Sequence, residues 1–301
     1  MERPGLINWI RIVIVAVIWG GAFMTVTIAL RHMPPMSVAA GRIAIGAGAV
    51  YLLMRARGHR LPPLGARVLW AHIIAIAILS AALPFSLLSW GQSYVASGFA
   101  GMTMAAVPLF VLPLAHAFVP GDQMNTRKTF GFVIGFIGTV ILIGTDGLTG
   151  GTSGIETLAR IACIAAALCY ALNSIMTKRC PEVNELSLSA AALLVATLIM
   201  VPLALLSDGL PQAMALEGWI ALAYLGLVPT AAAYLLKVAI VRSAGPTFMG
   251  LVNYQVPIFS VLLGALVLNE SLPSQLWLAL ALVLLGVAIS QWPSLRRILR
   301  V

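Results

Sequence analysis

Charged residues are scarce in this chain. They make up 9% of its 301 residues, whereas soluble domains carry about a quarter, and this excludes a soluble globular fold. Only nine residues are acidic, and all nine fall in loops or at the ends of the predicted helices. An intramembrane carboxylate is the usual holder of a coupling proton, a sodium ion or a cationic substrate. We therefore expect no carboxylate site of this kind within the membrane.

Cysteines are few, and the sequence shows no metal-binding motif. The cysteines Cys163, Cys169 and Cys180 are odd in number and lie in or beside one predicted helix, so they imply no disulfide framework. No cluster of histidine and cysteine has the spacing of a zinc site. We predict neither a metal nor a cofactor for this chain.

Missing motifs also disfavour two classes of membrane protein. GTSG at 151–154 is similar to a serine-protease fragment, but no histidine is placed to activate Ser153. An intramembrane enzyme is therefore a weak alternative. A channel would be expected to carry charged rings or repeated polar filter loops, and the sequence shows neither of these features.

Apolar residues dominate, at 61% of the chain. They form runs of about 17 to 25 residues, the length that crosses a hydrocarbon core about 30 Å thick. Only helices and closed barrels satisfy the backbone in lipid, and these runs lack the alternation of barrel strands. The sequence predicts an all-α integral membrane protein with ten transmembrane helices. The predicted spans are residues 9–30, 35–54, 68–89, 97–118, 126–145, 155–177, 187–206, 218–241, 245–268 and 273–292.

Basic residues are distributed unevenly between the predicted loops. If the N-terminus is inside, fourteen Lys and Arg residues lie on the inner side, whereas the outer side carries only Arg31 and Arg160. This asymmetry is the positive-inside pattern, and it predicts that both termini are cytoplasmic in a multi-pass protein of a bacterial-type inner (plasma) membrane. It also accounts for the net charge of +9 without nucleic-acid binding.

The chain contains an internal repeat. AAVPLFVLPL at 105–114 is echoed by YQVPIFSVLL at 254–263, and Pro108 and Pro257 are 257 − 108 = 149 residues apart. Ten spans therefore divide into two copies of five, residues 1–147 and 148–301. Because five is odd, the second copy enters the membrane from the opposite side. Such inverted repeats are typical of secondary transporters, in which the two halves rock around a central site.

Several short motifs of the chain are typical of one family of membrane proteins. They are WGGAF at 19–23, Arg42, VPLF at 107–110, VPIF at 256–259, NES at 269–271 and LLGVAI at 284–289. Together with the five-plus-five layout, they look like the EamA-type members of the drug/metabolite transporter superfamily, and within it most like the YddG-type exporters. The resemblance implies export of aromatic and other apolar amino acids and of some cationic drugs. Family members commonly carry an acidic residue after helices four and nine; Glu270 fits the second position, whereas Asp122 departs at the first.

The two copies differ most where the second has become polar, and these positions are candidates for a substrate site. Asn253, Pro257 and Ser260 share one helix face, and the proline frees the carbonyl of Asn253. An interhelical hydrogen bond with a simple kink is the alternative interpretation. At the repeat offset, Asn253, Tyr254, Gln255 and Ser260 correspond to Met104, Ala105, Ala106 and Val111.

Five further residues are candidates for lining a central cavity. Trp19 lies about 15 Å along helix one and either lines the cavity or fills space between helices. Arg42 lies about 10 Å along helix two, where a charge usually faces the protein interior; a structural pair with helix carbonyls is the alternative. Ser80 and Pro84 in helix three are expected to mark a kink or a hinge, and Tyr234 to line the path or anchor at the interface.

These observations predict a transporter that exports small metabolites by alternating access. Aromatic and other apolar amino acids are the expected substrates, and gradient-driven passage is favoured because no span carries a carboxylate away from its ends. Export of drugs, nucleotides or sugars within the same superfamily is the alternative. The predicted partners are the small-molecule substrate and the lipid bilayer, without nucleic acid, and the sequence is compatible with a monomer.

Overall fold

The computed structural model describes residues 5–119, 123–143, 154–210, 215–271, 273–292 and 296. All regular secondary structure in these ranges is helical. In chain order the helices are α1 (Leu6–Leu30), α2 (Pro35–Ala56), α3 (Arg67–Gly91), α4 (Ser97–Phe118), α5 (Thr126–Ile143), α6 (Gly154–Arg179), α7 (Glu185–Asp208), α8 (Leu216–Leu225, continued through Gly226–Ala232 and Ala233–Ala244), α9 (Val252–Leu268) and α10 (Ser274–Ser290). A single turn, Pro246–Met249, precedes α9.

The helices have the properties of membrane-crossing segments. Seven of the described helices, α1 to α4 and α6 to α8, are long and apolar enough to cross a bilayer, and α9 and α10 are apolar but shorter. Large apolar side chains also cover the outside of the bundle; Leu198 is 75% exposed and Leu266 is 76% exposed. Such a surface is unfavourable in water and suits contact with lipid. The predicted class, an all-α membrane protein, is confirmed for the described residues.

Small residues allow the helices to approach closely. A Cβ added to Gly286 of α10 would fall against the backbone of Gly131 and Gly135 in α5. In the same way, a Cβ on Gly46 of α2 would meet Thr230 of α8 at 2.6 Å. Close backbone packing through small residues is how membrane helices associate without a hydrophobic driving force. Gly131 and Gly135 of α5 therefore lie directly against α10.

Two helices contain a π-helical segment near mid-length. These segments are Ile78–Ala82 in α3 and Gly226–Ala232 in α8, and their first residues are 226 − 78 = 148 positions apart. A π segment inserts one residue into the helix and disturbs its hydrogen-bond ladder, frequently at functional sites. In α8 the hydroxyl of Thr230 donates to the carbonyl oxygen of Leu225 at 2.9 Å. The carbonyl that Pro229 leaves unpaired is thereby satisfied.

Carboxylates join helix ends at one end of the bundle, which we call the capped end. Glu270, just after α9, accepts hydrogen bonds from the backbone N–H groups of Ser97 (2.8 Å) and Gly98 (3.0 Å) at the start of α4. Asp208 at the end of α7 accepts from the N–H of Ser37 (2.7 Å) and from its hydroxyl (2.8 Å). A carboxylate at a helix N-terminus satisfies orphan N–H groups and complements the helix dipole. Asp122 lies outside the described residues.

Candidate functional site: a central cavity

A cavity of about 460 Å³ lies in the middle of the bundle. Small-molecule sites have volumes of about 300 to 1,000 Å³, so this cavity has room for a metabolite. Every described helix except α5 and α10 contributes side chains to its wall. Those two helices pack against each other instead, which leaves the other eight to surround the cavity.

The cavity opens at the end opposite the capped end. Towards the capped end its wall consists of buried side chains, including Val26 (3% exposed) and Gln92 (5% exposed). Towards the opposite end it includes Ser174, Thr177 and Lys237, which are exposed. As far as the described residues show, a molecule therefore has access to the cavity from one end only.

Trp19 connects α1 to the π segment of α8. Its indole lies on the cavity wall, and Nε1 donates a hydrogen bond to the carbonyl oxygen of Pro229 at 3.1 Å. A buried indole needs a partner for its N–H group, and the disturbed ladder of the π segment supplies one. The hydrogen bond fixes the ring beside the cavity and couples α1 to the irregular part of α8.

Arg42 places a positive charge on the cavity wall. Its guanidinium carbon lies 3.9 Å from the centre of the Phe85 ring, a close cation–π contact. The ring of Tyr170 also lines the cavity. Nε of Arg42 is buried, and no hydrogen-bond acceptor for it occurs among the described residues. The side chain is therefore held by stacking, while at least one of its donors remains unused.

The remaining sequence candidates fall into two groups. Ser80, Tyr234 and Asn253 lie on the cavity wall with Trp19 and Arg42. A second group lies outside the residues that line it: Pro84, Tyr254, Gln255, Pro257 and Ser260. Of these, Ser260 is fully buried and donates to the carbonyl oxygen of Pro257 at 2.9 Å.

Polar residues of α6 form much of the opposite wall. Tyr170, Asn173, Ser174 and Thr177 recur at intervals of one turn and line the cavity. None of these four was among the principal sequence candidates, although a polar stripe on an otherwise apolar helix was the available signal. Gln92 was not a candidate, because it follows the last residue of α3 and resembles an ordinary loop residue.

Comparisons with known proteins place the chain in a family. A model of the EamA-like transporter family matches residues 7–144 and 157–292. The chain is 26% identical over 274 residues to an Escherichia coli protein named "Uncharacterized inner membrane transporter YedA", covering 91% of this chain and 87% of that protein. It is 24% identical over 289 residues to the E. coli "Probable amino-acid metabolite efflux pump", covering 92% of each.

A protein of known crystal structure has the same fold. It superimposes with a TM-score of 0.64 over 97% of this chain and 98% of its own, at 21% sequence identity. The family match extends over most of the chain, and it agrees with the apolar helices and the central cavity. The chain is therefore a membrane transporter that belongs to the EamA-like transporter family, within the drug/metabolite transporter superfamily.

Proposed function

We propose that this protein exports small metabolites, chiefly amino acids with aromatic or other large apolar side chains, by alternating access. The observation that carries the proposal is the cavity, which helices from both halves of the chain enclose and which opens at one end only. In this account the structure represents the state in which the capped end is closed. Rocking of the two halves would produce the other state, in which the capped end is open and the opposite end is closed.

The mechanism requires ten spans arranged as two inverted repeats, residues 1–147 and 148–301. Glu270 supports this arrangement, because it follows the C-terminus of α9 and caps the N-terminus of α4. The repeat pairs α4 with α9, and their opposite ends meet at the capped end. The recurrence of the π segment at 226 − 78 = 148 positions and the family match to two stretches are further support.

We assign the capped end to the outside of a bacterial-type inner membrane, with both termini cytoplasmic. The concentration of basic residues in the predicted inner loops supports this orientation. A relative named as an inner membrane transporter supports the location. The cavity in this structure is then open to the cytoplasm, which is the state that loads a substrate for export.

The cavity wall suits an amphipathic substrate. Apolar and aromatic side chains such as Trp19 and Phe23 would hold the substrate's side chain, and Asn253 would meet its polar end. A relative named as a probable amino-acid metabolite efflux pump supports this substrate class. Among the described residues that line the cavity, none is Asp or Glu, and this favours passage driven by the substrate gradient.

Replacing Trp19 or Asn253 with alanine is expected to slow phenylalanine counterflow at least about tenfold. Trp19→Ala removes the hydrogen bond to Pro229 and a large part of the cavity wall, and Asn253→Ala removes a polar group from the wall. A lost hydrogen bond and lost packing of about 1.5 kcal/mol correspond to roughly tenfold. The measurement is saturable, trans-stimulated uptake into proteoliposomes that contain the purified protein.

Trp277→Ala is the matched control for this experiment, because Trp277 is 48% exposed on the outside of the bundle. It should transport at the wild-type rate. Wild-type rates in both cavity variants would eliminate the proposed site. Linear, unsaturable flux would indicate a channel, and a chemically altered product would indicate an enzyme.

A further inference from the structure

The charge of the cavity wall is unbalanced. Arg42 and Lys237 line the cavity, and no Asp or Glu is among its described lining residues. Lys237 is exposed to solvent at the open end of the cavity, whereas Arg42 is only partly exposed, and no carboxylate among the described residues forms an ion pair with it. Arg42 is therefore the more buried cation of this site, and it lacks a counter-charge within the described residues.

An unpaired cation at this depth has a high energetic cost, and such groups in membrane proteins usually mark a substrate or ion path. The interpretation of Arg42 as a structural clamp on helix carbonyls finds no support, because no hydrogen bond from Arg42 occurs within the described chain. Its contact with Phe85 is through the ring. A guanidinium has five N–H donors in one plane; the Nε donor of Arg42 is buried without a partner among the described residues, and the side chain lines the cavity.

The ligand group that fits these donors is a carboxylate. The planar guanidinium matches the two carboxylate oxygens in a bidentate pair. A ligand ammonium, in contrast, would be repelled by Arg42 and Lys237 and would find no carboxylate in the described wall. The apolar and aromatic wall accommodates the organic part of the ligand.

We propose that Arg42 binds the carboxylate of the substrate, so that this cavity selects organic carboxylates, including amino acids with a free carboxyl group, and rejects amines of the same skeleton. This inference deepens the proposed export function and rests on it. It assigns opposite roles to the two ends of the substrate: the acidic end is recognised by charge, and the apolar body by the aromatic wall.

The wild-type protein tests the charge preference with two probes of equal size. The midpoint of thermal unfolding of the purified protein in detergent is measured against increasing 3-phenylpropionate and, separately, 3-phenylpropylamine. We expect the carboxylate to stabilise the protein with an apparent affinity at least about tenfold higher than that of the amine. Equal affinities, or a preference for the amine, would overturn the inference.

Variants of Arg42 test whether this residue is the source of the preference. Arg42→Gln should remove the preference for the carboxylate over the amine. Arg42→Lys should retain part of this preference, since a lysine keeps the charge but not the bidentate geometry. Arg31→Gln is the charge-matched control, because Arg31 is exposed beyond the end of α1, and it should bind as the wild type does. An unchanged preference in folded Arg42→Gln would refute the assignment. If Arg42→Gln does not fold, the inference is tested by Arg42→Lys and by the comparison of the two probes on the wild-type protein.

Counterflow separates this inference from the proposed function. If phenylalanine is transported but its amide competes as well as N-acetylphenylalanine, the carboxylate site is wrong and the exporter stands. If phenylpropionate binds through Arg42 and phenylalanine is not carried, amino-acid export is wrong and the carboxylate site stands.

Discussion

Gly286→Leu is expected to yield almost no folded protein. Gly286 lies where α10 crosses α5, and even a Cβ there would approach the backbone of Gly131 and Gly135 far inside contact distance. The larger side chain would have to separate the two helices along their interface. Overpacking of this kind typically costs about 1 to 3 kcal/mol, and backbone contacts cannot move aside as a flexible side chain can. The measurement is the yield of monodisperse protein after extraction in mild detergent.

Gly48→Leu is the matched control for that experiment. Gly48 is an exposed glycine of α2, and no heavy atom lies within 4 Å of the position a Cβ would take. Leucine is also a better helix former than glycine, so this variant should be recovered at the wild-type level or above. Equal yields from the two variants would show that α5 and α10 do not pack as described.

The combined change Glu270→Gln and Asp208→Asn is expected to open the capped end. Each carboxylate accepts two hydrogen bonds at a helix N-terminus. Hydrogen bonds to a charged group contribute about 1.5 to 3 kcal/mol each, more than those to a neutral one. Weakening these bonds should favour the outward-open state, and a change of about 1.4 kcal/mol shifts such an equilibrium tenfold.

The readout is labelling of a cysteine placed at Ala22, a buried cavity residue on the side of the capped end. In a background without the native cysteines, a membrane-impermeant maleimide added to intact cells should label the double variant at least about tenfold faster. Glu182→Gln is the control, because Glu182 is exposed between α6 and α7. Labelling at the same low rate in all three proteins would contradict a closing role for the carboxylates.

The helices could be predicted from the sequence because length and apolarity determine a membrane span. The predicted span 97–118 coincides with Ser97–Phe118, and 35–54 falls two residues short of Ala56. The π segments could not be predicted in this way. They depend on local hydrogen bonds, such as that of Thr230 to Leu225, and apolar periodicity carries no information about them.

The candidate site was predicted less completely, for a physical reason. A polar residue in an apolar run must find a hydrogen-bond partner, but the sequence does not show whether that partner is a ligand or another part of the protein. Trp19, Arg42 and Asn253 lie on the cavity wall, whereas Ser260 has the same helix face as Asn253 and yet donates to its own helix. Its position opposite Gly101 of α4 leaves no space for a ligand. Only the packing of two distant helices distinguishes these cases.

Cysteine accessibility at two loops tests the inverted arrangement most directly. Single cysteines are introduced at Gln123, just before α5, and at Asn269, just after α9, both of which are exposed. They are probed in intact cells and again after the membrane is permeabilised. The account predicts that a cysteine at 269 reacts in intact cells and one at 123 only after permeabilisation. Reaction of both cysteines from the same side would contradict the opposite orientation of the two halves. It would also contradict alternating access around this cavity, which depends on that orientation.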